Sequence, residues 1–175
     1  MIYLLKRAVF IHIPRTAGNS ITNAIAKSCA GRNIDVIIGT AQGVKGFGKS
    51  NRHIRAVNLK SVISEWDDIY KFAVHRPLED RIKSTVRLIN RDFKNGVHLD
   101  PTCRDSWREL ITSQDMIEKK KKQLQNHTTE WYTLGENKED LGVEVYNYSE
   151  LPDRWYDICD KCQIPRCELP HLNKG

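Results

Sequence analysis

The chain has 175 residues, 39% hydrophobic and 29% charged, which suits about one globular domain and excludes a disordered or fibrous chain. Its 28 Lys and Arg against 22 Asp and Glu leave a net charge of +6, which favours anionic partners without choosing among them. No apolar run approaches the roughly 20 residues of a membrane span. Met1–Leu5 is cut short by Lys6 and Arg7 and is too brief for a signal peptide, so the expectation is a cytoplasmic protein. Five cysteines cannot all pair within one chain and read as reduced thiols. The glycosylation sequons at Asn126 and Asn147 then read as chance matches.

In chain order, Ala8–Ile13 is a short apolar run rich in β-branched residues and predicts a buried strand. It breaks at Pro14, and Ile21, Ala24 and Ile25 then recur at helical spacing. Ile34–Ile38 predicts a second strand, followed by a loop holding Gly39, Gly43, Gly46 and Gly48. Leu59, Val62, Ile63 and Trp66 predict a short amphipathic helix, and Ile69–Val74 a third strand. Pro77 opens a helix whose predicted buried face is Leu78, Ile82, Val86, Ile89 and Phe93. A further helix is predicted across Trp107, Leu110, Ile111, Ile117 and Leu124, with Lys119–Lys122 as its solvated face. Val143–Asn147 predicts a fourth strand, and Trp155, Ile158, Cys159 and Cys162 line a last helix starting near Pro152. Strands alternating with helices predict one α/β domain over residues 1–175 with a mainly parallel sheet.

The turn Pro14-Arg15-Thr16-Ala17-Gly18-Asn19-Ser20 joins a strand end to a helix start, where ligands of parallel sheets bind. A helix N-terminus offers unpaired N–H groups and positive dipole. Gly18 admits close approach, Thr16 and Ser20 add hydroxyls, and Arg15 adds a fixed positive fork. The pattern suits a phosphate or sulfate; an ordinary capped turn is the competing reading.

Phe10-Ile-His-Ile-Pro-Arg-Thr-Ala-Gly-Asn-Ser20 resembles the first signature, hIPKTaGTS, of sulfotransferases that use 3′-phosphoadenosine 5′-phosphosulfate (PAPS). Arg15 replaces the usual Lys and Asn19 the usual Thr. Arg15 can bond the phosphosulfate but cannot donate its proton at neutral pH. The resemblance implies that Arg15, Thr16, Ala17, Gly18, Asn19 and Ser20 wrap the 5′-phosphosulfate, and it implies a P-loop-like, three-layer α/β/α fold.

Val74-His-Arg-Pro-Leu-Glu-Asp-Arg-Ile-Lys-Ser84 is similar to the family's second signature, vRNPxxRxxS, with its Asn missing and Pro77 one place early. The similarity implies that Arg76 and Ser84 hold the 3′-phosphate. The segment from Arg52 to Leu59 resembles one carrying a base in the bacterial carbohydrate branch, which makes His53 the implied base. An imidazole of ordinary pKa suits that task. Glu168-Leu-Pro-His-Leu-Asn-Lys174 resembles the family tail near the cofactor and brings in Asn173. Family members usually continue beyond such a tail, so the C-terminal part of the family fold is expected to be short.

Two other patterns compete. Gly43-Val-Lys-Gly-Phe-Gly-Lys-Ser50 fits GxxxxGK[ST] and would imply a kinase or nucleoside triphosphatase, but no strand runs directly into Gly43. Cys159, Cys162, Cys167 and His171 have zinc-like spacing, but the first two fall on an apolar helix face, so structural thiols are favoured. The expected activity is transfer of a sulfuryl group from PAPS to an acceptor hydroxyl, as in carbohydrate sulfation. His53 and Arg15 act at the reaction centre, 3′,5′-bisphosphoadenosine is the product, and neither metal nor nucleic acid is required. A non-catalytic nucleotide- or glycan-binding protein of the same fold is the further alternative. Residues 85–130 are expected to shape the acceptor pocket.

Overall fold

The computed structural model describes residues 1–38, 53–95 and 112–170. They form two compact units, one holding Met1–Arg76 and the chain from Thr129, the other Pro77–Thr128. The first unit is built on a five-stranded mixed sheet of β1 (Ile2–Leu4), β2 (Ala8–Ile11), β3 (Val36–Ile38), β4 (Tyr70–His75) and β5 (Glu144–Asn147). The spatial order is β3-β1-β2-β4-β5. β2 pairs with β4, and β4 with β5, in parallel; β1 runs antiparallel to both its neighbours.

β1 was not foreseen. Met1–Leu5 is too short an apolar run to predict a strand, yet Met1, Ile2, Tyr3 and Leu4 are all buried. The charged pair Lys6-Arg7, which interrupts the apolar run, makes the turn: Lys6 takes a left-handed φ of 57° and the Arg7 N–H donates to the Leu4 carbonyl at 3.0 Å.

Side chains alternate between the faces of a strand, and an apolar cluster lies on each face of this sheet. On one side Ile2, Leu4, Phe10, Phe72 and Val74 pack with Ile21 and Ile25 of α1 (Gly18–Cys29). The same cluster takes Trp155 and Ile158 of the helix Leu151–Lys161. On the other side Val9, Ile11 and Ala73 pack with Leu59 of α2 (Ala56–Lys60), with Trp66, and with Tyr132 of the helix Thr129–Thr133. Being covered on both faces explains why β2 and β4 read as continuous apolar runs rather than alternating ones. Phe10 and Phe72 are register partners in β2 and β4 with ring centroids 5.0 Å apart, a cross-strand aromatic pair at the sheet centre. The helix expected from Leu59 to Trp66 is shorter and earlier: α2 ends at Lys60, and Ile63 and Trp66 reach the core from turns. The Trp66 indole N–H donates to the Leu141 carbonyl at 3.1 Å, and the Lys71 ammonium donates to the Trp66 carbonyl at 2.9 Å.

The second unit holds α3 (Leu78–Lys94) and α4 (Ser113–Asn126). With the two helices already given, Thr129–Thr133 becomes α5 and Leu151–Lys161 α6. Glu79 and Asp80 in the first turn of α3, and Arg91 and Lys94 in the last, complement its dipole. Its buried residues are Arg81, Thr85 and Ile89, whereas Leu78 and Phe93 of the expected face are each 39% exposed. Apolar periodicity misplaced the stripe because two of its members are polar. Arg81 donates from both terminal nitrogens to the His127 carbonyl at 3.1 Å, and Thr85 donates back to the Arg81 carbonyl at 2.9 Å. Thr112 caps α4 through a reciprocal box with Asp115. Lys119, Lys120 and Lys122 are exposed, in line with a solvated face. Among the described residues no helix is long and apolar enough to cross a membrane.

β1 lies between β2 and β3, so its core side chains support both. Leu4→Ala is expected to lower unfolding free energy by about 3 kcal/mol in urea titration, without a change in slope. A loss under about 1 kcal/mol would mean that β1 carries little of the core.

Candidate functional site

β2 and β4 are parallel neighbours, with Ile11 opposite Ala73, so both deliver their following residues to the same end of the sheet. β2 leads through Ile13 into the turn before α1, and β4 leads through His75 to Arg76. Arg15 and Arg76, 61 positions apart, therefore meet. One terminal nitrogen of Arg76 lies 3.4 Å from the Arg15 carbonyl, a long hydrogen bond.

The turn has an unusual backbone. Arg15 and Ala17 both take left-handed φ values, 68° and 64°. Neither is glycine, and such positions cost roughly 1–3 kcal/mol each. Ala17 occupies the N-cap of α1 and offers no side-chain cap. A left-handed residue followed by a helical one turns successive N–H groups toward the same side, the nest arrangement that suits anions. The first N–H groups of the helix lack intrahelical partners by construction. The turn therefore brings main-chain N–H groups to the positive end of α1.

Each turn residue has its own part. Thr16 is fully buried, and its hydroxyl donates to the Ile13 carbonyl at 2.9 Å, so its hydrogen is committed to the turn rather than offered to a ligand. Gly18 is needed for a reason the sequence did not reveal. The imidazole of His12 lies against its Cα, and any Cβ there would collide with that ring. Asn19 is exposed and Ser20 buried.

His12 had no assigned role in the sequence reading, yet it organises the site. Its ring stacks on Phe10 at 5.7 Å and meets the His53 ring edge-on at 4.6 Å. Its carbonyl lies 2.8 Å from Nδ1 of His53. A carbonyl oxygen can only accept, so Nδ1 carries the hydrogen and the neutral ring has its basic nitrogen at Nε2. The chain just after His53 is anchored as well. Two residues on, Arg55 donates to the Trp131 carbonyl and to Glu136, each at 2.8 Å, and lies over the Trp131 ring.

Arg76 completes the group. Its guanidinium sits 4.4 Å from the centroid of the Tyr148 ring. Its Nε is buried and has no hydrogen-bond partner among the described residues. An unmatched buried donor is costly unless a ligand or water answers it. Ser84 and Arg81 are carried by α3 of the second unit, where Arg81 is already engaged with His127. Asn173 and His171 lie outside the described residues, as does all of Gly43–Ser50.

A hollow of about 420 Å³ lies along β5 and α5, lined by His75, Thr129, Glu130, Asp140, Val143 and Asn147 among others. His75 and Thr129 share a 2.8 Å hydrogen bond there. Among its described lining residues there is no Lys or Arg. Cys159 and Cys162 sit in the core, as their helical spacing implies, and burial pushes the Cys159 thiol up to about 12. Thiols so held stay protonated at neutral pH and are poor nucleophiles. Comparison with protein-family models, with curated proteins and with solved structures finds no match.

Gly18→Ala tests the cradle. Overpacking against His12 is expected to destabilise the protein by about 1–3 kcal/mol in urea titration and to weaken binding of pyrophosphate. Unchanged stability and unchanged pyrophosphate affinity would contradict the tight contact with His12.

Proposed function

We propose that the protein is a PAPS-dependent sulfotransferase that transfers a sulfuryl group to an acceptor hydroxyl, and that carbohydrate is the acceptor class. The observation that carries this reading is convergence. The turn at Arg15–Ser20, His53 and Arg76 are separate in sequence, and each was picked out by its own motif. His53 contacts His12 at the end of β2, His12 lies against Gly18 of the turn, and Arg76 after β4 reaches the Arg15 carbonyl within that turn. The sequence resemblance supplies the identity of the ligand; the nest and the orphaned Arg76 Nε are compatible with its two anionic ends. In this reading the sheet is the middle layer of a P-loop-like α/β/α domain, supported by the apolar clusters on its two faces.

PAPS, when bound, supplies the sulfuryl group and departs as 3′,5′-bisphosphoadenosine. The N–H groups at the start of α1, with the Arg15 guanidinium, stabilise the negative charge that grows on the leaving phosphate side as the S–O bond breaks. Arg15 acts as a fixed charge, because a guanidinium does not give up its proton at neutral pH. His53 takes the acceptor hydroxyl proton at Nε2 while that oxygen bonds to sulfur. The His12 carbonyl stabilises the resulting imidazolium through Nδ1–H. Arg76 pairs with the 3′-phosphate. Ser84 is assigned beside it from the sequence spacing alone. The acceptor is proposed to enter from the hollow at His75 and Asn147, whose described lining holds no Lys or Arg.

Two variants separate these roles. His53→Ala should lower turnover with a sugar acceptor by roughly 10²- to 10⁴-fold while leaving 3′,5′-bisphosphoadenosine affinity within about twofold. Wild-type turnover in that variant would remove His53 from the chemistry. Arg76→Ala should weaken 3′,5′-bisphosphoadenosine by roughly 10- to 100-fold and leave 5′-AMP unchanged. Equal losses for the two nucleotides would show that Arg76 does not read the 3′-phosphate.

A further inference from the structure

We infer that Tyr148 is a positioning residue that holds Arg76 ready for the 3′-phosphate by its ring face rather than its hydroxyl; the inference rests on the sulfotransferase reading above. A free arginine side chain carries considerable rotamer entropy, and a binding site avoids that loss on binding only by holding the side chain in advance. Proteins commonly do this with a carboxylate, which also neutralises the charge and occupies the donors. Among the described residues no carboxylate pairs with Arg76. Its guanidinium lies over the Tyr148 ring instead, 4.4 Å from the centroid. A π face holds the cation through its plane and leaves the N–H edge for another partner. The only hydrogen bond described for Arg76 is the long one, 3.4 Å, to the Arg15 carbonyl, and its buried Nε is unanswered.

Tyr148 is itself anchored where this support is needed. Its N–H donates to the His75 carbonyl at 2.8 Å, extending the β4–β5 pairing by one step and setting the ring beside the residue that follows His75. The residue is 38% exposed, so core filling is not its main role. Arg76 is thereby tied to two neighbours, the cradle turn through Arg15 and the end of β5 through Tyr148. That tie orients the guanidinium without consuming its charge.

The test compares the full-length wild type with Tyr148→Phe and Tyr148→Leu, titrated with 3′,5′-bisphosphoadenosine and with 5′-AMP. Tyr148→Phe should match the wild type within about twofold for both. Tyr148→Leu should bind 3′,5′-bisphosphoadenosine about 10-fold more weakly and 5′-AMP as before. Retained 5′-AMP affinity also shows that the variant is folded. A 3′-phosphate preference that survives in Tyr148→Leu would overturn the inference alone. So would a loss in Tyr148→Phe as large as in Tyr148→Leu, which would assign the effect to the hydroxyl. A wild type with no preference for the 3′-phosphorylated nucleotide would overturn the functional reading and the inference with it.

Discussion

The parallel pairing of β2 with β4 is the constraint from which the site follows. Because Phe10 faces Phe72 and Ile11 faces Ala73, the two strands run to the same end of the sheet, β4 continuing two residues further to His75. Their next residues emerge on one edge of the sheet. One exit is a turn that opens a helix; the other is an arginine. Shifting the register by one residue would swap each side chain to the opposite face and disrupt both apolar clusters, so the packing of those clusters also fixes where Arg15 and Arg76 meet. Core packing and site geometry are in this sense the same requirement.

At that edge the chain accepts local cost for geometry. Two residues that are not glycine hold left-handed backbone, a glycine carries an imidazole against its Cα, and a buried guanidinium nitrogen has no described partner. Each feature opposes stability when taken alone, and all of them lie in or beside the turn before α1. Such costs persist where the surroundings impose them, and they concentrate at functional sites. The contrast within the molecule is informative. The Lys161 ammonium is answered by Glu144 at 2.9 Å, and Arg166 by Asp160 at 2.7 Å, far along the chain from the cradle. Arg76, by contrast, is held by an aromatic face.

Much of this was legible in the sequence, for stated reasons. β2, β4, β5 and the helices after them were readable because continuous apolar runs and helical spacing report burial directly. The turn at Pro14–Ser20 was readable because Gly and hydroxyl residues after a strand have few other uses. β1 was missed because three residues are too few for any period to show. The buried face of α3 was displaced because Arg81 and Thr85 are buried through hydrogen bonds, and hydropathy cannot see those. His12 was missed as a participant because its part is played through its carbonyl and its ring contacts. No residue pattern announces that a backbone oxygen will set the tautomer of a histidine 41 positions away. The reverse error also occurred: Thr16 was expected to offer a hydroxyl donor, but the turn already uses it.

The central claim is that the cradle and Arg76 together recognise a nucleotide phosphorylated at both its 3′ and 5′ positions. Calorimetric titration of the wild-type protein with 3′,5′-bisphosphoadenosine, alongside 5′-AMP and Mg-ATP, addresses it most directly. The account predicts tight binding that requires the 3′-phosphate and needs no Mg²⁺. Equal affinity for 5′-AMP, or binding to Mg-ATP alone, would contradict it.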